Sequence, residues 1–239
     1  MLSVNKYARQ IKLDFFGKKG QECLARSKVV IVGVGALGTV SSQLLVRAGV
    51  GEIVLIDNDL VDVVNLQRQA LFDSVDVGKK KVSVAKEKLS LINPDVLVSP
   101  VDDFLVDINS GRLFRDCDLV LDCTDNMAAR HVINRACKEL GKVWIHAAGS
   151  GTKGNVLVVD DFDRFDSLFK GEGYLDECSR VGVLNSLTFM IASLQVTEAF
   201  KFLLNLPHCE DLIRFDILSN SYETFVLNSK KGDVNEFRG

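Results

Sequence analysis

Between residues 28 and 147, short and nearly unbroken apolar runs alternate with longer amphipathic stretches in which apolar residues recur at helical spacing. The short runs predict strands at Lys28 to Gly33, Glu52 to Asp57, Val96 to Val101, Asp118 to Asp122 and Val143 to Ala147. The intervals predict helices over Ala36 to Ala48, Lys79 to Ile92 (stopped before Pro94) and Asn126 to Leu140 (stopped by Gly141), since proline cannot continue a helix and glycine commonly ends one. Such alternation builds an α/β, Rossmann-like, doubly wound and mostly parallel sheet with helices on both faces. Ligands of these sheets bind outside the carboxyl ends of the strands.

After Gly149 the texture changes. A strand at Asn155 to Asp160 leads into a polar stretch, Asp161 to Ser179, too long for an ordinary connection; it reads as a lid or crossing segment of weak order. Leu187, Ile191, Leu194, Ala199, Phe202 and Leu203 recur near helical spacing, which predicts a mostly buried helix over Asn185 to Leu204. Strands near Leu212 to Leu218 and Thr224 to Leu227 finish the sheet. The organisation expected is one domain over residues 1–239: an N-terminal helical arm (1–27), a nucleotide-binding core (28–149), a crossing loop (160–179) and a C-terminal helix with strands (180–239).

Composition narrows the chemistry. With 239 residues and 47% apolar content the chain can bury a sizeable core without metals or disulfides. A formal charge of -3 gives no broad attraction for nucleic acid or anionic membrane, so neither is an expected partner. The start, MLSVNKYARQ, lacks the apolar run of a signal peptide, and no stretch has the roughly eighteen uncharged residues of a membrane span, so the expected location is cytoplasmic. Six cysteines are scattered without a Cys-x-x-Cys pair, which speaks against a disulfide framework or a tetrahedral zinc site.

The first strand runs into Gly33-Val34-Gly35-Ala36-Leu37-Gly38, a Gly-x-Gly-x-x-Gly loop opening a helix. Glycines let backbone N–H groups approach phosphate, and the helix N-terminus adds partial positive charge. Asp57 ends the second strand where a carboxylate can accept hydrogen bonds from ribose hydroxyls. These two features suit NAD and ATP equally, and alone they suggest a nicotinamide-dependent dehydrogenase. Asn65-Leu66-Gln67-Arg68-Gln69 and Gly78-Lys79-Lys80-Lys81-Val82 then set several cations beyond the ribose strand, more than hydride transfer needs. Attack on an α-phosphate does use them, because charge develops on phosphoryl oxygens and departing pyrophosphate. Lys79 and Lys80 read as a solvated helix start, and Arg9 as a surface arginine. Asp122-Cys123-Thr124-Asp125-Asn126 ends the fourth strand, where a carboxylate can either hold Mg²⁺ or cap the following helix.

Taken together, Arg9-Gln10, Gly33-x-Gly35-x-x-Gly38, Asp57-x-Asp59, Asn65 to Gln69, Gly78-x-x-Lys81-Val82, Ile92-Asn93-Pro94 and Asp122-Cys123-Thr124-Asp125-Asn126-x-x-x-Arg130 resemble the ThiF/MoeB/HesA family of E1-like activating enzymes over nearly the whole chain. The resemblance implies ATP-dependent adenylation of the terminal glycine carboxylate of a small ubiquitin-like sulfur carrier ending in Gly-Gly. It implies that Asp57, with Asp59 close by, holds the ribose, that Asn65, Arg68 and Lys81 contact phosphates, and that Asp125, beside Asn126, binds Mg²⁺. It also implies a homodimer in which Arg9 reaches the partner's site.

Cys178 resembles a family cysteine near the end of the crossing loop that joins covalently to the carrier in some members; Arg180 nearby would favour its thiolate, and a spectator thiol is the even alternative. The two Cys-x-x-Cys zinc pairs of many members are missing here, so no zinc is expected. A tRNA-modifying dehydratase of the same fold, an NAD-dependent oxidoreductase and a non-catalytic scaffold are the competing readings.

Overall fold

The computed structural model describes residues 6–169 and 181–227. Among them, eight strands form one sheet: β1 (Lys28–Val32), β2 (Glu52–Ile56), β3 (Leu97–Val101), β4 (Leu119–Asp122), β5 (Trp144–Ser150), β6 (Lys153–Val159), β7 (Leu212–Asp216) and β8 (Ser221–Phe225). The order across the sheet is β3-β2-β1-β4-β5-β6-β7-β8, parallel from β3 to β5 and antiparallel from β5 onward.

Successive strand residues point to opposite faces, so the burial of all of Val29 to Val32 requires cover on both sides. On one face, Val29, Ile31, Ile53 and Leu55 pack under α3 (Gly38–Ala48), α4 (Lys81–Ile92) and α8 (Asn185–Leu203). On the other, Val30, Val32, Val54 and Ile56 pack under α5 (Asp107–Phe114), α6 (Met127–Leu140) and α7 (Phe162–Leu168). The helix α8 lies almost on bare backbone: a Cβ at Gly149 would come within 2.3 Å of Ile191 Cδ1, and one at Gly154 within 2.7 Å of Ile191 Cγ1.

The short helices α1 (Ala8–Ile11) and α2 (Gly17–Leu24) form the N-terminal arm. It is fastened to the far end of α3, where Gln10 Nε2 and Gln21 Nε2 both donate to the Ala48 carbonyl, at 3.0 and 2.9 Å. Asn93 Nδ2 closes the same joint by donating to Tyr7 Oη and to the Val46 carbonyl, both at 2.8 Å.

Two segments differ from the sequence expectation. The polar stretch after β6 is ordered at its start: Asp161 accepts from Arg164 N at 3.1 Å and caps α7, and Phe165 is buried with its ring 4.6 Å from that of Trp144. Helix α5 was not anticipated. Residues 170–180, including Cys178 and Arg180, lie outside the described residues.

The chain winds outward from β1 to β3, then crosses back to place β4 on the other side of β1. That reversal opens a crevice at the carboxyl ends of β1 and β4.

Candidate active site

Gly33 turns the chain out of β1 with φ at +89°, and a Cβ there would stand 2.6 Å from the Cys123 carbonyl oxygen at the end of β4. Only glycine combines that backbone with that approach. Gly38, expected among the ligand contacts, serves the packing instead. Its Cβ would fall 2.0 Å from the Gly33 carbonyl oxygen, so it lets α3 start directly on the loop, and it does not line the cavity. Above Gly35 the space is open apart from Gln69 Nε2 at 3.7 Å.

The crevice is a cavity of about 600 Å³, within the usual range for a small-molecule site. Gly33, Gly35, Asp57, Asp59, Asn65, Arg68, Lys81, Asp125 and Asn126 all border it, as do Gln69, Arg130 and Thr188.

The loop is braced before any ligand arrives. Asp57 Oδ2 accepts the Val34 N–H at 2.7 Å, and Oδ1 accepts the Asp59 N–H at 2.8 Å. Asp59 in turn pairs with Lys81 at 2.7 Å, and Lys81 is buried although Lys79 and Lys80, just before it, are exposed to solvent and pair with Asp76 and Asp102. Arg68 is steered by Nη1 donating to the Val64 carbonyl at 3.2 Å and Nη2 to Asn65 Oδ1 at 3.4 Å. The Asn65 to Gln69 segment is tied to the start of α8 by Asn185 Nδ2, which donates to the Gln67 carbonyl at 3.2 Å.

Asp122 and Asp125, alike in sequence, are separated by the fold. Both Asp122 oxygens are fully occupied: Oδ1 accepts from Thr124 N and Oγ1 at 3.0 and 2.6 Å, and Oδ2 meets Arg130 Nε and His146 Nδ1, each at 3.0 Å. Burial pushes its carboxyl up, but the Arg130 charge and the His146 and Thr124 hydrogen bonds outweigh this and hold it below the ordinary carboxylate value. It is a foundation for the loop and has no free valence for a metal. Asp125 is exposed at the cavity wall, and among the described residues no cation pairs with it. Asn126 caps α6 by accepting the Ala129 N–H at 2.9 Å, so the capping role belongs to it.

Sequence reasoning assigned no role to His146, Arg130 or Gln195. His146 is fully buried, with Nε2 2.9 Å from Asn155 Oδ1, and burial holds its imidazole below the ordinary 6.5. Gln195 Nε2 donates to the Asp122 and Ile145 carbonyls at 2.7 and 3.1 Å. Among the described residues Gln69 Oε1 is buried without a hydrogen-bond partner, a condition that ordinarily costs about 1–3 kcal/mol. Of the described cysteines none is in a disulfide, and burial pushes Cys117 up to about 11 and Cys123 higher still, so neither is a ready nucleophile. Arg9 is exposed on α1 and does not border the cavity. No helix of the described residues is long and apolar enough to cross a membrane.

Comparison with known proteins gives a consistent picture. The profile of the ThiF family matches residues 7–235. The molybdopterin-synthase adenylyltransferase of Escherichia coli is 37% identical over 234 residues, 95% of this chain and 94% of that one. The sulfur carrier protein ThiS adenylyltransferase of the same organism is 34% identical over 236 residues, 95% and 92% of the two chains. Among solved structures, E. coli MccB with ATP superposes with a TM-score of 0.77 at 23% identity, covering 92% of this chain and 70% of that one. PaaA gives 0.78 at 24%, covering 92% and 72%. At such identity these two speak to the fold.

Proposed function

This chain belongs to the ThiF family, and from that premise we propose that it uses ATP to adenylate the C-terminal glycine carboxylate of a small ubiquitin-like sulfur carrier, for sulfur transfer in thiamin or molybdopterin biosynthesis. The observation that carries this reading is the joining, in one cavity, of a phosphate loop with Asn65, Arg68, Lys81 and Asp125. An oxidoreductase would leave those four side chains without employment.

In the reaction, a carboxylate oxygen of the carrier attacks the α-phosphorus, the bond from that phosphorus to the bridging oxygen breaks, and pyrophosphate leaves with the electron pair. The product is an acyl-adenylate. A carboxylate is already ionised at neutral pH, so no general base is required; alignment and charge neutralisation supply the rate. Asp57 receives the ribose on the oxygen lone pairs left beside the Val34 and Asp59 N–H groups. Arg68 and Lys81 neutralise the phosphates. Asp125, a carboxylate bordering the cavity without a cation partner among the described residues, suits Mg²⁺, which when bound offsets phosphate charge. A mostly apolar groove of about 470 Å³ adjoins the cavity at Ala148 and Gly149, bordered by Phe169, Leu212 and Arg214, and gives an extended tail a way in.

Arg9 belongs to this reading through a second copy. Its arm is fastened at Ala48, the opposite end of α3 from the phosphate loop, and eleven helical residues span about 16 Å. A homodimer that shares its sites would use Arg9 across the interface.

The test is ATP–pyrophosphate exchange with Mg²⁺, with and without a panel of small β-grasp proteins ending in Gly-Gly. Carrier-dependent exchange is expected. Arg68→Ala and Asp125→Ala should each lower it by about 10²–10³ with the melting temperature unchanged; retained turnover would remove those residues from the mechanism.

A further inference from the structure

Asn155 lies half-buried on β6, close to the point where the apolar groove meets the nucleotide cavity: it borders the groove, and its partner across the strands is Ala148, which borders both. One end of its amide meets His146, whose Nε2 is 2.9 Å away. On the opposite side of the ring, His146 Nδ1 is 3.0 Å from Asp122 Oδ2. The rings of Trp144, Phe165 and Phe169 wall the imidazole in, at 6.1, 5.6 and 5.1 Å.

The charges along this row of contacts fix its hydrogens. Asp122 is already balanced by Arg130 at 3.0 Å, so a second cation on His146 would stand uncompensated in a fully buried place. The ring is therefore neutral, as the burial that holds it below 6.5 also requires. A neutral ring facing a carboxylate keeps its one hydrogen on Nδ1 and leaves a lone pair on Nε2. An amide oxygen cannot stay against that lone pair, because both are acceptors. A half-turn of the amide, exchanging two atoms of nearly equal size, brings Nδ2 to the ring as a donor and carries Oδ1 to the outer side. Among the described residues the outer end of this amide has no hydrogen-bond partner, and it is open to solvent, since Gln69 Oε1 is the one unpartnered side-chain atom that is shut away. An accessible acceptor thus stands in the wall of the groove, its orientation held by a ring that Asp122 holds in turn.

The donor it suits follows from the function proposed above, on which this inference rests. A carrier tail lying extended in the groove presents a backbone N–H at each residue, about 3.3 Å of chain apart. Arg214, the partner of Asn155 on β7, also borders the groove and offers only hydrogens, which suit the tail's carbonyls; Asn155 supplies the acceptor that its N–H groups need. Because Ala148 opposite marks the mouth of the cavity, the N–H that meets Asn155 belongs to the last few residues of the tail.

We propose that Asn155 Oδ1 accepts a backbone N–H near the end of the carrier's tail, with His146 as the positioning residue that turns the amide outward. Asn155 is thereby a substrate-binding residue that fixes how deep the tail runs before its carboxylate meets ATP.

Two measurements test this. In long-range proton–nitrogen spectra of the ligand-free protein near neutral pH, which has only His131, His146 and His208 to assign, His146 should carry its hydrogen on Nδ1 with Nε2 bare. A hydrogen on Nε2, in either the neutral or the charged ring, would leave the Asn155 oxygen facing inward and overturn the inference. In ATP–pyrophosphate exchange, Asn155→Leu should raise KM for the carrier by about tenfold, with KM for ATP within about twofold of the unmodified protein. Carriers N-methylated at single positions among the last few residues should include one that loses a similar factor with the unmodified protein and nothing further with Asn155→Leu, since the same hydrogen bond is removed from either side. Equal losses for carrier and ATP, or a methyl scan in which Asn155→Leu adds its full loss at every position, would overturn the assignment. Absence of carrier-dependent exchange in the unmodified protein would overturn the functional reading and this inference with it, whereas an Nε2 hydrogen with exchange intact would overturn this inference alone.

Discussion

At the scale of the residue, the foundation of the site carries its own acid sensitivity. Burial holds the His146 imidazole below its ordinary 6.5, against the opposing pull of Asp122. The folded state therefore keeps a neutral ring while the unfolded chain takes up a proton, and stability falls as pH drops below about 6.5. Asp122 is held below its ordinary 3.8 by Arg130 and its hydrogen bonds, despite burial, so its contribution is present above 3.8 and is lost as pH falls through its folded value. The melting temperature should decline from near neutrality downward and more steeply under about pH 4, and His146→Gln should flatten the first limb; melting curves across this range check both. None of this was readable locally, because Asp122 and His146 are 24 positions apart and meet only through the pairing of β4 with β5. By contrast Asp57, Arg68 and Lys81 were legible, since each sits at a fixed offset from a strand end or in a motif that brings its own geometry.

At the scale of the element, the segment from Asp59 to Lys80 leaves the sheet and returns to α4, and Lys88 on α4 ties it down by pairing with Asp73 and with the buried Asp76. Asp76 also accepts from Asp73 N at 3.0 Å, closing a capping box over a single 3₁₀ turn. Burial pushes Asp76 up, and Lys88 with the backbone more than reverses it. Lys88→Met should destabilise the fold by about 1–3 kcal/mol by leaving the buried Asp76 with only the longer, solvent-exposed contact to Lys79, and should raise KM for ATP, since Lys81 begins the same helix. Adding Asp76→Asn should recover part of the stability; if the double variant is no better than the single, the pair is not what holds the segment. The strands and long helices were predictable within a few residues because buried parallel strands are continuous apolar runs. Helix α5 escapes a reading by periodicity because its most apolar exposed position, Ile108 at 96%, points at solvent and hides the period. Helix α7 is masked by the polar composition around it, although Phe162, Phe165 and Phe169 keep helical spacing behind the Asp161 cap.

At the scale of the whole molecule, the placement of Arg9 makes a mixing experiment decisive. Arg9→Ala and Arg68→Ala chains should each be inactive alone. Combined in equal amounts and allowed to exchange, half the dimers would be mixed and each would hold one complete site, restoring about a quarter of full activity. No restoration would mean that Arg9 does not act across an interface. Metal dependence is likewise a property of the assembled site: a chelator should abolish exchange, Mg²⁺ alone should restore it, and the purified protein should carry no stoichiometric zinc. The helix-and-strand assembly after Gly149 contributes to the cavity through Thr188 and Ile191 as well as closing the sheet, so both halves of the chain are needed to build one site.

The burial of Lys81 behind Asp59 also governs how the site will answer to covalent probes. Its side chain is 5% exposed, whereas those of Lys79 and Lys80 are 57% and 54% exposed. An amine-directed label will mark the two neighbours and pass over the lysine that borders the cavity. Footprinting of this cluster with and without nucleotide should then show little protection, and a flat footprint would be the signature of a site shielded by its own fold and no sign of an idle one.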